Sequence, residues 1–245
     1  MDIALIETTL EWENVAANFR HMEKIFSSGK GNNYDVIVLP EMFSTGFTMN
    51  PEKFSPAQLE EVPRWMQHQA SQMNCLLAGS SVAFSDDSYY NRFYFAYPNG
   101  EIEYYDKHHL FRMGEEQKHY RAGKERKIFR YDDWRICPQV CYDLRFPVWS
   151  RNREDYDLLI YVANWPGVRQ DAWTTLLKAR AIENQCYVAG VNRIGEDPAM
   201  AYEGGSVVYS PKGEVISGVS SGHSSVLSAT LDPENLKAFR EKFPA

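Results

Sequence analysis

The sequence predicts an α/β fold in which mixed β-sheet is covered by helices, as one sheet or as two such sheets packed together. Three observations carry this. Short apolar runs such as residues 36–39 and 157–163 have the length of strands buried on both faces. Between such runs lie longer segments with apolar residues at helical spacing. Tight turns at Pro98-Asn99-Gly100 and Pro211-Lys212-Gly213 join other strands as hairpins, which excludes a purely parallel sheet.

Taken in order, residues 2–8 alternate enough apolar side chains for a strand, and Trp12, Val15, Ala16, Phe19, Met22 and Phe26 follow at helical spacing. Residues 29–33 end that helix. The run 36–39 is the next strand, and Pro40 stops its ladder and leaves Glu41 at the carboxyl end. Leu59, Val62, Trp65, Met66 and Met73 mark the core face of a second helix. Residues 75–82 form a strand and Asp86-Asp87-Ser88 a turn. Residues 91–97 and 102–105 flank the Pro98 hairpin turn, and the second of these ends at Asp106-Lys107. From 108 to 124 no period is sustained. This reads as a loop over the site that carries Glu115 and Glu116 and is closed by Gly123. A hairpin about Asp132-Asp133 pairs 127–131 with 134–140 and delivers Cys141, after which Pro147 opens a short helix. A strand over 157–163 ends at Asn164-Trp165-Pro166-Gly167. A helix spans 171–184 with Trp173, Leu176, Leu177 and Ala181 inward, and 187–192 is a strand. Residues 207–210 and 214–218 make a hairpin, and a strand over 225–230 with a helix from Pro233 completes the chain.

Nothing in the 245 residues reads as a linker, so a single domain over 1–245 is expected. With 44% hydrophobic and 14% aromatic residues, a sizeable core is available. The net charge of -7, with Lys and Arg scattered among acids, argues against a nucleic-acid partner. No stretch approaches the ~18 apolar residues of a membrane helix, and the chain enters a strand without a basic leader. No membrane association and a cytoplasmic location are therefore expected. Cys75, Cys137, Cys141 and Cys186 are too dispersed for a disulfide scaffold. Cys137 and Cys141 form C-x3-C rather than C-x-x-C, and no histidines stand near them at ligand spacing, so neither metal nor other cofactor is expected.

Apolar residues run up to Cys141, and Tyr142-Asp143-Leu144-Arg145 follow at once, which places the thiol where a strand leaves the core for a crevice. Taken alone, a cysteine is more often a small buried hydrophobe and a lysine such as Lys107 a solvated loop residue. Together, three strand ends carry a carboxylate (Glu41), an ammonium (Lys107) and a thiol (Cys141), the set that acyl transfer requires. A free thiol with a pKa near ~8.5 is mostly protonated at neutral pH, so a base must take its proton or a cation must stabilise the thiolate. Glu41 is suited to be that base, to protonate a departing amine and then to activate water. Lys107 and the backbone N–H of Tyr142 are suited to hold the tetrahedral oxyanion.

Pro40-Glu41, Lys107-His108-His109-Leu110-Phe111 and Cys141-Tyr142-Asp143-Leu144-Arg145-Phe146-Pro147 resemble, in order and spacing, the three signature segments of the nitrilase, or carbon–nitrogen hydrolase, superfamily. Arg180-Ala181-Ile182-Glu183-Asn184 and the segment from Gly205-Ser206 to Gly213 extend the likeness over nearly the whole chain. Within the superfamily, the Cys141 segment followed by Tyr161-Val162-Ala163-Asn164-Trp165-Pro166 is most similar to omega-amidases acting on 2-oxo acid amides. The resemblance implies a four-layer α-β-β-α sandwich of two mixed sheets, with Cys141 as nucleophile, Glu41 as base and Lys107 as transition-state stabiliser. It also implies a homodimer and a small-molecule amide substrate. A second glutamate, a fixed distance before the glycine matched by Gly123, is implied at Glu116, with Glu115 as the competing neighbour. Arg145 is a candidate for the substrate carboxylate or for an ion pair with Asp143 or Glu183. Phe43, Tyr142 and Trp165 are pocket-wall candidates by adjacency. The same Glu-Lys-Cys set would serve a nitrilase or an N-carbamoyl amide hydrolase. The non-enzymatic alternatives are a degenerate binding module and a thiol sensor using Cys137 and Cys141. The module would be expected to have lost one of the three residues, and the sensor pair would lie ~13 Å apart on an extended strand.

Overall fold

A computed structural model describes residues 1–28, 34–218 and 223–244. The expected helix stop at 29–33 lies outside them. Period-two alternation in β1 (Asp2–Glu7) sends Ile3 and Leu5 to one face and Ala4 and Ile6 to the other, and both faces are buried. Helix α1 (Val15–Ser28) returns the chain to the three-residue β2 (Val36–Val38). Helix α2 (Pro56–Met73) starts at a capping box formed by Ser55 and Gln58 and stops at Asn74, whose φ of 49° ends the helix in the left-handed region. Strands β3 (Leu76–Ser85), β4 (Ser88–Ala96) and β5 (Ile102–Asp106) form an antiparallel meander.

The second half repeats the theme. Strand β6 (Phe129–Tyr131) makes a hairpin with β7 (Trp134–Val140), and α3 (Pro147–Ser150) precedes β8 (Leu158–Ala163). Helix α4 (Gln170–Asn184) leads to β9 (Tyr187–Asn192), and a small hairpin of β10 (Ile194–Glu196) and β11 (Ala201–Glu203) follows. Strands β12 (Val207–Tyr209) and β13 (Ser225–Thr230) and helix α5 (Pro233–Lys242) complete the described chain.

Two mixed sheets result, ordered β13-β1-β2-β3-β4-β5 and β12-β9-β8-β7-β6. In each, the central strands run parallel and the flanking strands are antiparallel. Their inner faces share one core in which Phe95 of β4 meets Phe129 of β6 with ring centroids 4.6 Å apart. The outer face of the first sheet packs on α1 and α2 through Met22, Val62, Met66 and Ala70. That of the second receives Trp173, Leu177 and Ala181 of α4. A Cβ on Gly190 of β9 would stand 2.4 Å from Leu177 Cδ1, so α4 rests directly on the strand backbone. The α-β-β-α sandwich is therefore observed. No helix among the described residues is long and apolar enough to cross a membrane.

Local expectations differ from the structure in three places. The β10–β11 hairpin was not foreseen, because its turn is built by the Asp197 side chain accepting from Ala199 and Met200 N–H rather than by a Gly-Pro signature. Residues 214–218 contribute one bridge, Tyr209 with Val215, and no full strand. The loop over the site contains two short 3-10 turns, Arg112–Gly114 and Glu116–Lys118.

Candidate active site

The site is assembled where parallel strands end. Beyond β2 the chain turns at Pro40 and continues alongside β3, with Leu39 N–H donating to Ala78 O at 2.7 Å and Phe43 N–H to Ser80 O at 3.0 Å. Glu41 is held at that turn. Lys107 follows β5 directly, and its carbonyl accepts from Gly123 N–H at 2.9 Å. A Cβ on Gly123 would lie 2.0 Å from Asp106 O, so only glycine permits this closure of the loop. Cys141 follows β7 with a φ of 44°, a left-handed conformation unusual for a side-chain-bearing residue. The 3-10 turn Cys141–Arg145 is pinned by Asp143. One of its oxygens accepts from Val140 N–H at 3.0 Å and Tyr105 OH at 2.9 Å, and the other accepts from His109 N–H at 2.8 Å. Asp143 thus ties the thiol's turn to the segment that carries Lys107.

Glu41, Lys107 and Glu116 are all fully buried and in contact. Lys107 Nζ stands 2.9 Å from Glu41 Oε1 and 3.0 and 2.9 Å from the two carboxylate oxygens of Glu116. Asn91 Nδ2 donates to Oε1 of both glutamates, at 2.8 and 3.2 Å. The other oxygen of Glu41 accepts from Asn164 N–H at 2.7 Å, and that of Glu116 from Phe111 N–H at 2.6 Å. Burial alone would pull the Lys107 pKa down, but Glu116 and Glu41 together outweigh it and hold the ammonium above its ordinary value. Burial raises the Glu116 pKa, with Lys107 opposing and Glu41 adding to the shift. Burial, reinforced by the Glu41 carboxylate and opposed by Lys107, also pushes the Cys141 thiol well above the ordinary range. The resting sulfur is therefore protonated beside a carboxylate. Such a thiol releases its proton during attack on an electrophile rather than beforehand.

Cys141 opens onto a cavity of about 460 Å³ whose walls include Tyr142, Arg145, Trp165, Phe47 and Phe111. Phe43 is not among them. It is fully buried against Phe19 and Trp65 in the helix-side core, because the turn at Pro40 and Glu41 points it away from the crevice. Phe47, four residues on, takes the wall position. Glu115 lies on the surface paired with Lys118 at 2.5 Å, whereas Glu116 reaches the interior. Neither ion pair considered for Arg145 forms: Asp143 is taken by the contacts above, and Glu183 pairs with Arg180 at 2.8 Å. The Arg145 guanidinium instead lies 5.3 Å from the Trp165 ring centroid, facing the cavity. Cys75, Cys137 and Cys186 are buried away from it, and burial pushes the thiols of Cys75 and Cys137 up to about 12.

Sequence reasoning missed Asn91 and Asn164, which hold the two glutamates. Asn164 was within reach, since it ends β8 as Glu41 ends β2. Asn91 had no signal: it is a polar residue inside an apolar strand, and its two carboxylate partners lie 50 and 25 residues away.

Residues 2–241 match the carbon–nitrogen hydrolase family. The chain is 48% identical to omega-amidase YafV of Yersinia enterocolitica, over 100% of this chain and 95% of that one. It is 31% identical to the 2-oxoglutaramate amidase of Bacillus subtilis, over 99% and 95%. A crystallised carbon–nitrogen hydrolase superfamily protein of Xanthomonas campestris, which carries an arsenic adduct in its active site, superposes with a TM-score of 0.94. It shares 38% identity, over 100% of this chain and 95% of that one. With matches along its whole length in sequence and in fold, this chain belongs to the carbon–nitrogen hydrolase family.

Proposed function

We propose that this protein is an omega-amidase that hydrolyses the terminal amide of 2-oxo dicarboxylic acid monoamides, such as 2-oxoglutaramate and 2-oxosuccinamate, to the 2-oxo acid and ammonia. The observation that carries the reading is the Cys141 thiol beside the buried Glu41–Lys107–Glu116 cluster, opening on an apolar cavity with a cation at its wall. The identity to omega-amidase YafV and to 2-oxoglutaramate amidase supports the substrate class.

In this mechanism Cys141 attacks the amide carbon as its proton passes to Glu41. Lys107 and Tyr142 N–H stabilise the oxyanion that develops. Glu41 then protonates the departing nitrogen, the C–N bond breaks and ammonia leaves a thioester on Cys141. Water, deprotonated by Glu41, attacks the thioester, and the acid departs as the thiol is restored. Glu116 holds Lys107 together with Glu41, and Arg145 receives the far carboxylate of the substrate.

A homodimer is supported by exposed apolar side chains on two helices, with Val148 of α3 84% and Ile182 of α4 50% exposed. Light scattering is expected to give twice the chain mass. A cytoplasmic location agrees with four free thiols.

The test is ammonia release from 2-oxoglutaramate, 2-oxosuccinamate, glutamine, asparagine, N-carbamoyl amino acids and simple nitriles. The two oxo-amides are expected to give the highest kcat/KM. Faster turnover of nitriles or carbamoyl compounds would refute the omega-amidase assignment and leave the thiol mechanism standing.

A further inference from the structure

A second arginine, Arg169, faces the same cavity and has no acid partner among the described residues. Arg169 ends the short 3-10 turn Gly167–Arg169 that follows β8, with its guanidinium 5.3 Å from the Phe111 ring centroid. Among the described residues its Nη1 reaches only the sulfur of Met113, at 4.0 Å. Its Nη2 is buried and has no hydrogen-bond partner among the described residues. The backbone of Arg169 is fixed independently, since its carbonyl accepts from Trp165 Nε1 at 2.8 Å. The acid on the cavity wall, Asp197, does not neutralise it. One Asp197 oxygen is bound to Tyr202 OH at 2.5 Å, and the other takes the N–H groups of Ala199 and Met200 at 2.8 Å each.

The guanidinium lines the cavity and no acid among the described residues pairs with it, so an oxygen supplied by the substrate can serve as its acceptor. The order of groups along the proposed substrate fits two arginines. With the amide carbon at the Cys141 thiol, the carboxylate is farthest away and the 2-oxo group one carbon nearer. Both arginines line the cavity, and Arg145 is the more exposed of the two, as suits the far end at the mouth. We propose that Arg169 is the specificity-determining residue that binds the 2-oxo oxygen and turns away amides carrying an ammonium at that carbon. This rests on the omega-amidase reading above. A guanidinium N–H donates well to a carbonyl oxygen, but it cannot accept from an ammonium and it repels one across an apolar-walled cavity of low effective dielectric. The same side chain thus selects for 2-oxoglutaramate and against glutamine.

The test compares 2-oxoglutaramate with glutaramate, the same monoamide without the oxo group, and with glutamine, in the wild type and in Arg169→Met and Arg169→Lys. The wild type is expected to favour 2-oxoglutaramate over glutaramate. Arg169→Met should lower that kcat/KM ratio by about 10- to 100-fold, the range expected when a charged donor to one substrate group is lost. Glutamine should gain relative to glutaramate in the same variant, and Arg169→Lys should recover part of the oxo preference. Protection of Cys141 from iodoacetamide gives a reading without turnover. 2-Oxoglutarate should protect the wild type at lower concentration than glutarate does, and the two should converge in Arg169→Met. Thermal melting confirms that each variant is folded, and if Arg169→Met is not, Arg169→Lys and Arg169→Gln carry the comparison. Unchanged ratios in folded variants overturn the assignment of Arg169. A wild type that treats 2-oxoglutaramate and glutaramate alike overturns it too while leaving a terminal amidase. A wild type inactive on both defeats the omega-amidase reading itself.

Discussion

Replacing Lys107 by methionine keeps most of the side-chain volume and removes the cation held between Glu41 and Glu116. Both carboxylates are fully buried and both contact Nζ at 2.9–3.0 Å, so the variant leaves two acids facing each other with no charge between them. Breaking a buried ion pair by removing one partner destabilises a protein by about 3–5 kcal/mol. At about 2–4 °C per kcal/mol for a chain of this size, the melting temperature should fall by roughly 6–20 °C. The sign of the pH dependence follows from the site. Without Lys107 the pair is expected to take up a proton, so its folded pKa lies above the unfolded value. Such a group leaves stability intact below the ordinary carboxylate range and removes it as pH rises toward the folded pKa. The deficit relative to wild type should therefore be larger at pH 8 than at pH 5. Loss of an oxyanion donor should also lower kcat by about 100-fold or more. Differential scanning fluorimetry at the two pH values, with ammonia release at neutral pH, measures both. Unchanged turnover would remove Lys107 from the oxyanion site, and a melting deficit equal at pH 5 and pH 8 would show that the two carboxylates do not compete for one cation.

Glu116→Gln should lower kcat by about 10-fold or more, because it weakens the grip on a buried donor, while Glu115→Gln, at a surface pair, should change neither kcat nor melting. Steady-state kinetics on both variants decides which glutamate serves the site, and equal effects would refute the distinction. Stoichiometric alkylation should label Cys141 and abolish activity with Cys75, Cys137 and Cys186 unmodified, since those thiols are sealed in the core. Peptide mass spectrometry showing another labelled cysteine in inactivated enzyme would sink the nucleophile assignment. Gly123→Ala should destabilise by about 1–3 kcal/mol, because its Cβ collides with the Asp106 carbonyl, and should also lower kcat by shifting Lys107. An alanine variant that melts and turns over like wild type would mean the loop closure is not tight.

Most of the secondary elements and the strand ends that carry Glu41 and Cys141 were legible without a structure because their signals are local. Alternation marks β1, an apolar run ended by proline presents Glu41, and the abrupt change to polar residues after Val140 exposes Cys141. The likeness to carbon–nitrogen hydrolases then supplied the two-sheet architecture, which periodicity alone left open between one sheet and two. What only the tertiary structure decided is how these ends meet. The Asn164 N–H that holds Glu41 lies 123 residues away in sequence, and Asn91 bridges two carboxylates from the middle of a strand. Glu115 and Glu116 are adjacent and chemically alike, yet one turn of 3-10 helix sends the first to water and the second onto Lys107. Phe43 was misplaced for the same reason, since adjacency to Glu41 says nothing about which side of a turn a ring will occupy. Patterns along the chain report which residues are buried and where strands stop. The direction of each side chain at a strand's end is set by sheet stacking and by hydrogen bonds between distant segments, and those exist only once the two sheets have closed on each other.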